Sequence, residues 1–230
     1  MQTNIDIAKT FMETPDGVLS IHQISKKLKL PYGTAYNRIH LLNESGIVQI
    51  LPQGKAKLCA LNPDNSMTSA LLALGSSQAT ETFIGKKSAA GRLLKKIRKA
   101  LSEASKGTLY AAIILTPDML ESAAEPESVI NSGDGYDNSI SLDFFYLAAT
   151  GDFDETSTER VISSLLKPGY DIRVTSMTVD RETMLGMLTE SENEAGLAAY
   201  SMLHGGLVLL GHENFYNLIL EAFARRLSIV

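Results

Sequence analysis

The chain has 230 residues, 44% of them hydrophobic, and a formal net charge of −5 at pH 7. This length suits one or two domains with apolar surface for more than one core. No apolar run is long enough to cross a membrane and no basic-then-apolar leader follows Met1, so a soluble, cytoplasmic protein is expected.

The modest net charge hides a segregation. Up to Asn62 the bases Lys9, Lys26, Lys27, Lys29, Arg38, Lys55 and Lys57 face only Asp6, Glu13, Asp16 and Glu44. From Lys86 to Lys106 come Lys86, Lys87, Arg92, Lys95, Lys96, Arg98, Lys99 and Lys106 against Glu103, while the chain beyond Thr108 is rich in Asp and Glu. A mildly basic first segment suits a small DNA-reading module, and the acidic C-terminal part makes a poor one. The lone cysteine, Cys59, excludes an intrachain disulfide. It falls in an alternating apolar segment, which predicts a buried small hydrophobe instead of a reactive thiol.

In chain order, Ile5 to Met12 predicts a first helix with Ile5, Ala8 and Met12 inward, closed by Thr14-Pro15-Asp16-Gly17. Ser20 is a candidate N-cap for a helix over Ile21–Leu28, with Ile21, Ile24 and Leu28 on its apolar side. A short connection at Lys29-Leu30 leads to a further helix that opens at Pro31 in its first turn and stops at Asn43-Glu44-Ser45-Gly46. In that helix Ala35, Ile39 and Leu42 recur at i, i+4 and i+7, a stripe that needs a core. The opposite arc carries Gly33, Thr34, Asn37 and His40, flanked by Tyr36 and Arg38. Small residues, hydroxyls, an amide and a guanidinium are the groups that read base edges and phosphates, whereas a merely solvated helix usually carries Glu/Lys pairs.

After Gly46 the period changes. Ile47–Leu51 and Ala56–Leu61 flank Pro52-Gln53-Gly54-Lys55, predicting a hairpin that carries Lys55 at its tip and Lys57 on its return strand. With GTAYNRIHLLNESGIV and GKAKLCALN in place, residues 5–62 resemble the winged helix-turn-helix domain of prokaryotic transcriptional regulators. The resemblance implies DNA binding by a homodimer on a pseudo-palindrome, with Thr34, Asn37 and Arg38 in the major groove. Tyr32 and Gln23 assist, and Lys26, Lys27, Lys55 and Lys57 hold phosphates.

Met67 to Leu74 predicts a short apolar helix, which either mediates dimerisation or packs on its own domain. Gly75-Ser76-Ser77-Gln78 has the composition of a linker, so the expected division is 1–65 for the DNA-binding domain, 66–87 for helix and linker, and 88–230 for a second domain. Ser88 can cap a helix to Ala104 whose basic side is either a second phosphate-contacting surface or a solvated face.

Strands are then predicted at Leu109–Leu115, Ile140–Ala148, Ile172–Met177 and Gly206–Leu210, and helices at Thr156–Leu166, Arg181–Leu188, Ala195–Leu203 and Phe215–Leu227. Thr156 with Glu159 forms a candidate capping box. The alternation argues for an α/β layer within an α+β protein.

That element order, ending in HGGLVLLGHENFYNLI, resembles the minimal nucleotidyltransferase domain of the polymerase-β superfamily. In that family a Gly-Ser closes the first strand and an Asp-x-Asp on the second holds two Mg²⁺ ions for in-line phosphoryl transfer. Here Leu115-Thr116 stands at the Gly-Ser, and Ser141-Leu142-Asp143 leaves only Asp143 of the carboxylate pair. The resemblance therefore implies a degenerate domain with no enzymatic activity, catalytic residue, cofactor or metal, kept for dimerisation or for sensing a small-molecule or nucleotide effector. An active nucleotidyltransferase using Asp143 and Asp171, and a winged helix that binds protein, are the alternatives. Gly75-Ser76 is followed by no carboxylate pair at usable spacing, Asp152-Phe153-Asp154 follows its strand and leads into a capped helix, and His204 and His212 have no nearby carboxylate or cysteine set of ligand spacing. P-loop, dinucleotide and nucleophile-elbow patterns are absent from the sequence.

Overall fold

The computed structural model describes residues 1–14, 17–53, 56–105, 107–126, 140–149, 153–189 and 205–228. They form a mixed α and β protein with two separate sheets, and none of the described helices is long and apolar enough to cross a membrane. The chain divides into two compact units, Met1–Ser76 with Glu213–Val230, and Ser77–His212.

The first unit begins with α1 (Gln2–Met12), which buries Ile5, Ile7, Ala8 and Phe11. A three-residue strand, β1 (Val18–Ser20), follows and pairs antiparallel with β3 (Ala56–Leu61). β1 is too short to show in the sequence pattern. Ser20 then starts α2 (Ile21–Lys27) with a complete capping box: its side chain accepts from the Gln23 N–H, and its own N–H donates to Gln23 Oε1 at 2.8 Å. The turn after α2 puts Lys29 at φ 52, and Ser25 clamps it by donating from Oγ to the Leu30 carbonyl at 2.7 Å.

Helix α3 (Tyr32–Glu44) starts one residue later than expected, since Pro31 takes the cap position with extended ψ. Its inner stripe is as the periodicity predicts, with Ala35 and Ile39 fully buried and Leu42 nearly so. It ends in a Schellman arrangement. Gly46, at φ +72, donates to the Asn43 carbonyl, and Ile47 donates to that of Leu42 at 2.9 Å. The chain then enters β2 (Val48–Gln53), which pairs antiparallel with β3 and completes a sheet of order β1-β3-β2.

The expected linker is absent. α4 (Ser66–Gly85) is one helix that runs through Gly75-Ser76-Ser77-Gln78, and the division between the units falls inside it. Gly75 serves close packing: a Cβ there would lie 2.4 Å from the Ile5 side chain, and its carbonyl accepts from Lys9 Nζ at 3.1 Å. The C-terminal helix α9 (His212–Ser228) also departs from the expected 88–230 grouping, because from Glu213 it belongs with the N-terminal unit, burying Phe215, Leu218, Ile219 and Leu220.

The second unit holds α5 (Ala89–Ser105), β4 (Leu109–Ile114), a 3₁₀ turn at Pro117–Met119, α6 (Leu120–Ala124), β5 (Ile140–Ala148), α7 (Glu155–Ser164), β6 (Ile172–Val179), α8 (Arg181–Thr189) and β7 (Leu207–Leu210). Sheet order is β6-β5-β4-β7, with β5 and β6 parallel and the other pairs antiparallel. The parallel pair needs a crossover, which α7 supplies. Leu142, Phe144 and Tyr146 of β5 share one core with Leu94, Ile97 and Leu101 of α5 and Ile162 of α7. Phe145 and Leu147 alternate to the other side and are equally buried, so β5 reads as a near-continuous apolar run. The helix expected over Ala195–Leu203 lies outside the described residues, as does most of the segment between α6 and β5.

Gly211 turns the chain out of β7 at φ +70, and a Cβ there would meet the Tyr110 carbonyl oxygen at 1.8 Å. Gly107, at φ +87, has no atom within 4 Å of such a Cβ. Gly107→Ala therefore adds backbone strain alone, about 1–2 kcal/mol, whereas Gly211→Ala adds a clash with main chain and is expected to cost about 4 kcal/mol or more. Urea unfolding of both variants checks this; a loss at Gly211 no larger than at Gly107 would contradict the close approach.

Candidate nucleic-acid interface

The outward face of α3 follows from its buried one. With Ala35, Ile39 and Leu42 inside, Thr34 and Asn37 are exposed and Arg38 is half-buried at the edge of the face. Tyr32 is 52% exposed, enough for its ring to be a contact surface. Lys26 and Lys27, in the last turn of α2, are exposed too. Gln23 also faces outward, yet its amide oxygen is held in the Ser20 cap, which fixes the side chain at the start of α2. Lys55 lies outside the described residues.

The structure adds an element the sequence reading passed over. Tyr32, Tyr36 and His40 recur at i, i+4 and i+8 along α3 and form a column of rings. His22 of α2 stands 6.5 Å from Tyr32, Tyr32 stands 6.2 Å from Tyr36, and Tyr36 lies 4.3 Å from His40. Tyr36 also receives the hairpin: Lys57 Nζ sits 5.0 Å from its ring centroid and donates to its hydroxyl at 3.4 Å. A cation over an aromatic face gains from the ring quadrupole, so Lys57 is held beside α3 by two weak contacts instead of swinging free. The Tyr32, Tyr36, His40 spacing was the available signal; read as separate polar positions, it did not show that the rings would form one tilted column.

In the same unit Cys59 lies fully buried in β3, paired with Leu19 of β1 and Ile50 of β2. Burial pushes its thiol up to about 11, with Lys57 opposing.

In the second unit, the carboxylate of Asp143 is satisfied locally. It accepts from Ser141 Oγ at 2.6 Å and from Thr175 Oγ1, its register partner on β6. Thr116 bridges the same strand, accepting from the Asp143 N–H at 3.0 Å and donating to the Ser141 carbonyl. Asp171 is not brought to this place. It precedes β6 and pairs with Arg173 at 3.6 Å, four positions before Thr175, which is about 13 Å along a strand. Among the described residues no group of three or more His, Cys, Asp or Glu is gathered in a metal-ligating arrangement.

The basic side of α5 is partly compensated within the fold. Arg98 pairs with Glu81, Lys99 with Glu103 at 3.6 Å, and Arg92 with Glu125 at 3.7 Å. Lys95, Lys96, Arg98 and Lys99 line an open basin with Ser102, Glu103 and Leu210. His212 is held below its ordinary pKa by burial and by Arg98, against the opposing pull of Glu81. Asp154 of the Asp-x-Asp decoy caps α7, accepting from the Ser157 N–H at 2.9 Å. His204 and Asp152 lie outside the described residues.

No protein-family model, curated protein or solved structure matches this chain. Function therefore rests on the chemistry of the site itself.

The buried thiol gives a direct check on the packing around β3, the middle strand of the first sheet. Cys59 is expected to resist iodoacetamide at pH 8 in the native protein and to react once urea has unfolded it. Because its folded pKa is raised, its contribution to stability is whole below 9.0 and is lost as pH rises through about 11. Native labelling as fast as unfolded labelling would place Cys59 outside the core.

Proposed function

We propose that residues 1–65 are a winged helix-turn-helix that binds double-stranded DNA, and that the protein is a transcriptional regulator. The observation that carries this reading is the exposed α3 face of Tyr32, Thr34 and Asn37, with half-buried Arg38 at its edge and Lys57 of the hairpin tied to it through Tyr36. α3 would enter the major groove, where Thr34, Asn37 and Arg38 meet base edges, while Lys26, Lys27, Lys55 and Lys57 hold phosphates. Gln23, already fixed by its cap, would contribute only through its remaining amide donors. The protein acts as a homodimer on a pseudo-palindromic site.

The second domain, expected over 88–230, serves in this proposal as a catalytically degenerate nucleotidyltransferase-like module that senses an effector or joins two copies. The support is that Ser141 and Thr175 present hydroxyls to the Asp143 carboxylate where two-metal chemistry needs further negative charge. No nucleotide incorporation is expected with Mg²⁺ and any of the four NTPs.

The DNA reading is tested by fluorescence anisotropy with fragments from upstream of the protein's own gene, at two salt concentrations. Affinity is expected to fall steeply as salt rises, through counterion release. Arg38→Ala is expected to cost about 1–3 kcal/mol and relax base preference, whereas Lys57→Ala weakens all sequences alike and reduces the salt slope by about 1. Tyr36→Phe, which removes only the hydroxyl that Lys57 contacts, is expected to lose part of what Lys57→Ala loses. Binding indifferent to salt would move the module from DNA to a protein partner.

A further inference from the structure

The side of the second sheet that α7 covers holds an oxygen cluster that the DNA-binding reading does not use. β5 and β6 run parallel and in register, with Phe144 opposite Ser176 and Tyr146 opposite Thr178. Side chains alternate along a strand, so these four share one face and Asp143 and Thr175 belong to the other. α7 lies over the first face, its Ile162 in the core that contains Phe144 and Tyr146. Phe153, just before α7, meets the Tyr146 ring edge-on at 5.0 Å.

Within this layer two carboxylates converge on one hydroxyl. Glu155 Oε1 is 2.7 Å from Ser176 Oγ, and Glu159 Oε1, one helical turn on, is 2.6 Å from the same atom. Both are hydrogen-bond distances, but a serine hydroxyl carries a single proton and an ionised carboxylate has none. One of the two contacts therefore sets acceptor against acceptor. A positive centre among these oxygens resolves that; two bare carboxylates do not.

Independent of the acidic pair, two hydroxyls next to it lack a partner among the described residues. Tyr146 is fully buried, and its Oη has no hydrogen-bond partner among them. Thr178 Oγ1, beside it on β6, is buried and likewise unpartnered among the described residues. Tyr146 lies on the same face as Ser176, the residue both carboxylates reach, and burial first, then the charges of Glu159 and Glu155, push its phenol's pKa far above the usual range. Buried tyrosine hydroxyls ordinarily find a partner, so one left without one beside an acidic pair points to a ligand held among these oxygens.

We propose that Glu155, Glu159 and Ser176 bind a divalent, oxygen-seeking cation of the calcium class, and that the Tyr146 and Thr178 hydroxyls hold its waters. Every available donor is oxygen, which excludes a preference for soft or imidazole-seeking metals. Two charged and several neutral oxygens in an irregular shell suit calcium better than the near-ideal octahedron that magnesium requires. The ion would staple the first turns of α7 to β6. Neither the DNA-binding face nor the Asp143 cluster enters this inference, so it stands or falls separately from the proposed function.

Terbium luminescence on the full chain tests it, since terbium occupies calcium sites and is excited through nearby tyrosine, and the chain has eight Tyr and no Trp to compete. The expected result is saturable emission at one ion per chain, displaced by excess calcium and only weakly by magnesium. Glu155→Gln with Glu159→Gln is expected to weaken apparent affinity by about tenfold or more, and Ser176→Ala by less. Tyr146→Phe keeps the stoichiometry but loses most of the sensitised emission. Calcium should also raise the melting temperature of the wild type and leave that of the double Gln variant unchanged. Absence of saturable binding in the wild type, or binding unaltered in the double variant, overturns the proposal. If the double variant does not fold, Tyr146→Phe decides, and unchanged emission overturns the site.

Discussion

The burial of Ala35, Ile39 and Leu42 is the constraint on which the candidate interface depends. A helix turns 100° per residue, so fixing one stripe against a core fixes every other side chain around the axis. Once those three are inside, Thr34 and Asn37 have nowhere to go but outward, and Tyr32, Tyr36 and His40 must line up one turn apart. Because Ile47 is bonded back to Leu42 across Gly46, the same packing also fixes where β2 starts. The hairpin and the helix are thus positioned by one core, and the Lys57 to Tyr36 contact is a surface consequence of it.

Much of this was legible in the sequence because the signals were local. The Ser20 cap, the i, i+4, i+7 stripe of α3, the stop at Gly46 and the paired strands β2 and β3 each depend on residues close in the chain, and the structure follows them within a residue or two. β5 was equally plain, being an apolar run long enough to need no partner for its recognition.

What the sequence hid depended on distant residues. Three residues of β1 become a strand only because β3 lies beside them. Gly75-Ser76-Ser77-Gln78 has the composition of a linker but the setting of a helix: Gly75 lets α1 approach, and Thr80 just beyond it donates to the Val208 carbonyl at 2.6 Å. Tertiary contacts there outweigh propensity. At α7 the pattern suggested that Glu159 would cap its own helix from Thr156. The cap is Asp154, which leaves Glu159 free of that duty and directed to Ser176 on a strand that sequence spacing could not connect to it.

The turn at Gly211 has a consequence for descent. Its backbone lies so close to the Tyr110 carbonyl that no side chain fits, whatever surrounds it. A core can drift through many apolar combinations and a surface through more, but this crossing admits a single residue type. Any distant relative that keeps the path from β7 into α9 must keep glycine there. A glycine between a short apolar strand and a C-terminal helix is therefore a marker of kinship that outlasts overall sequence similarity.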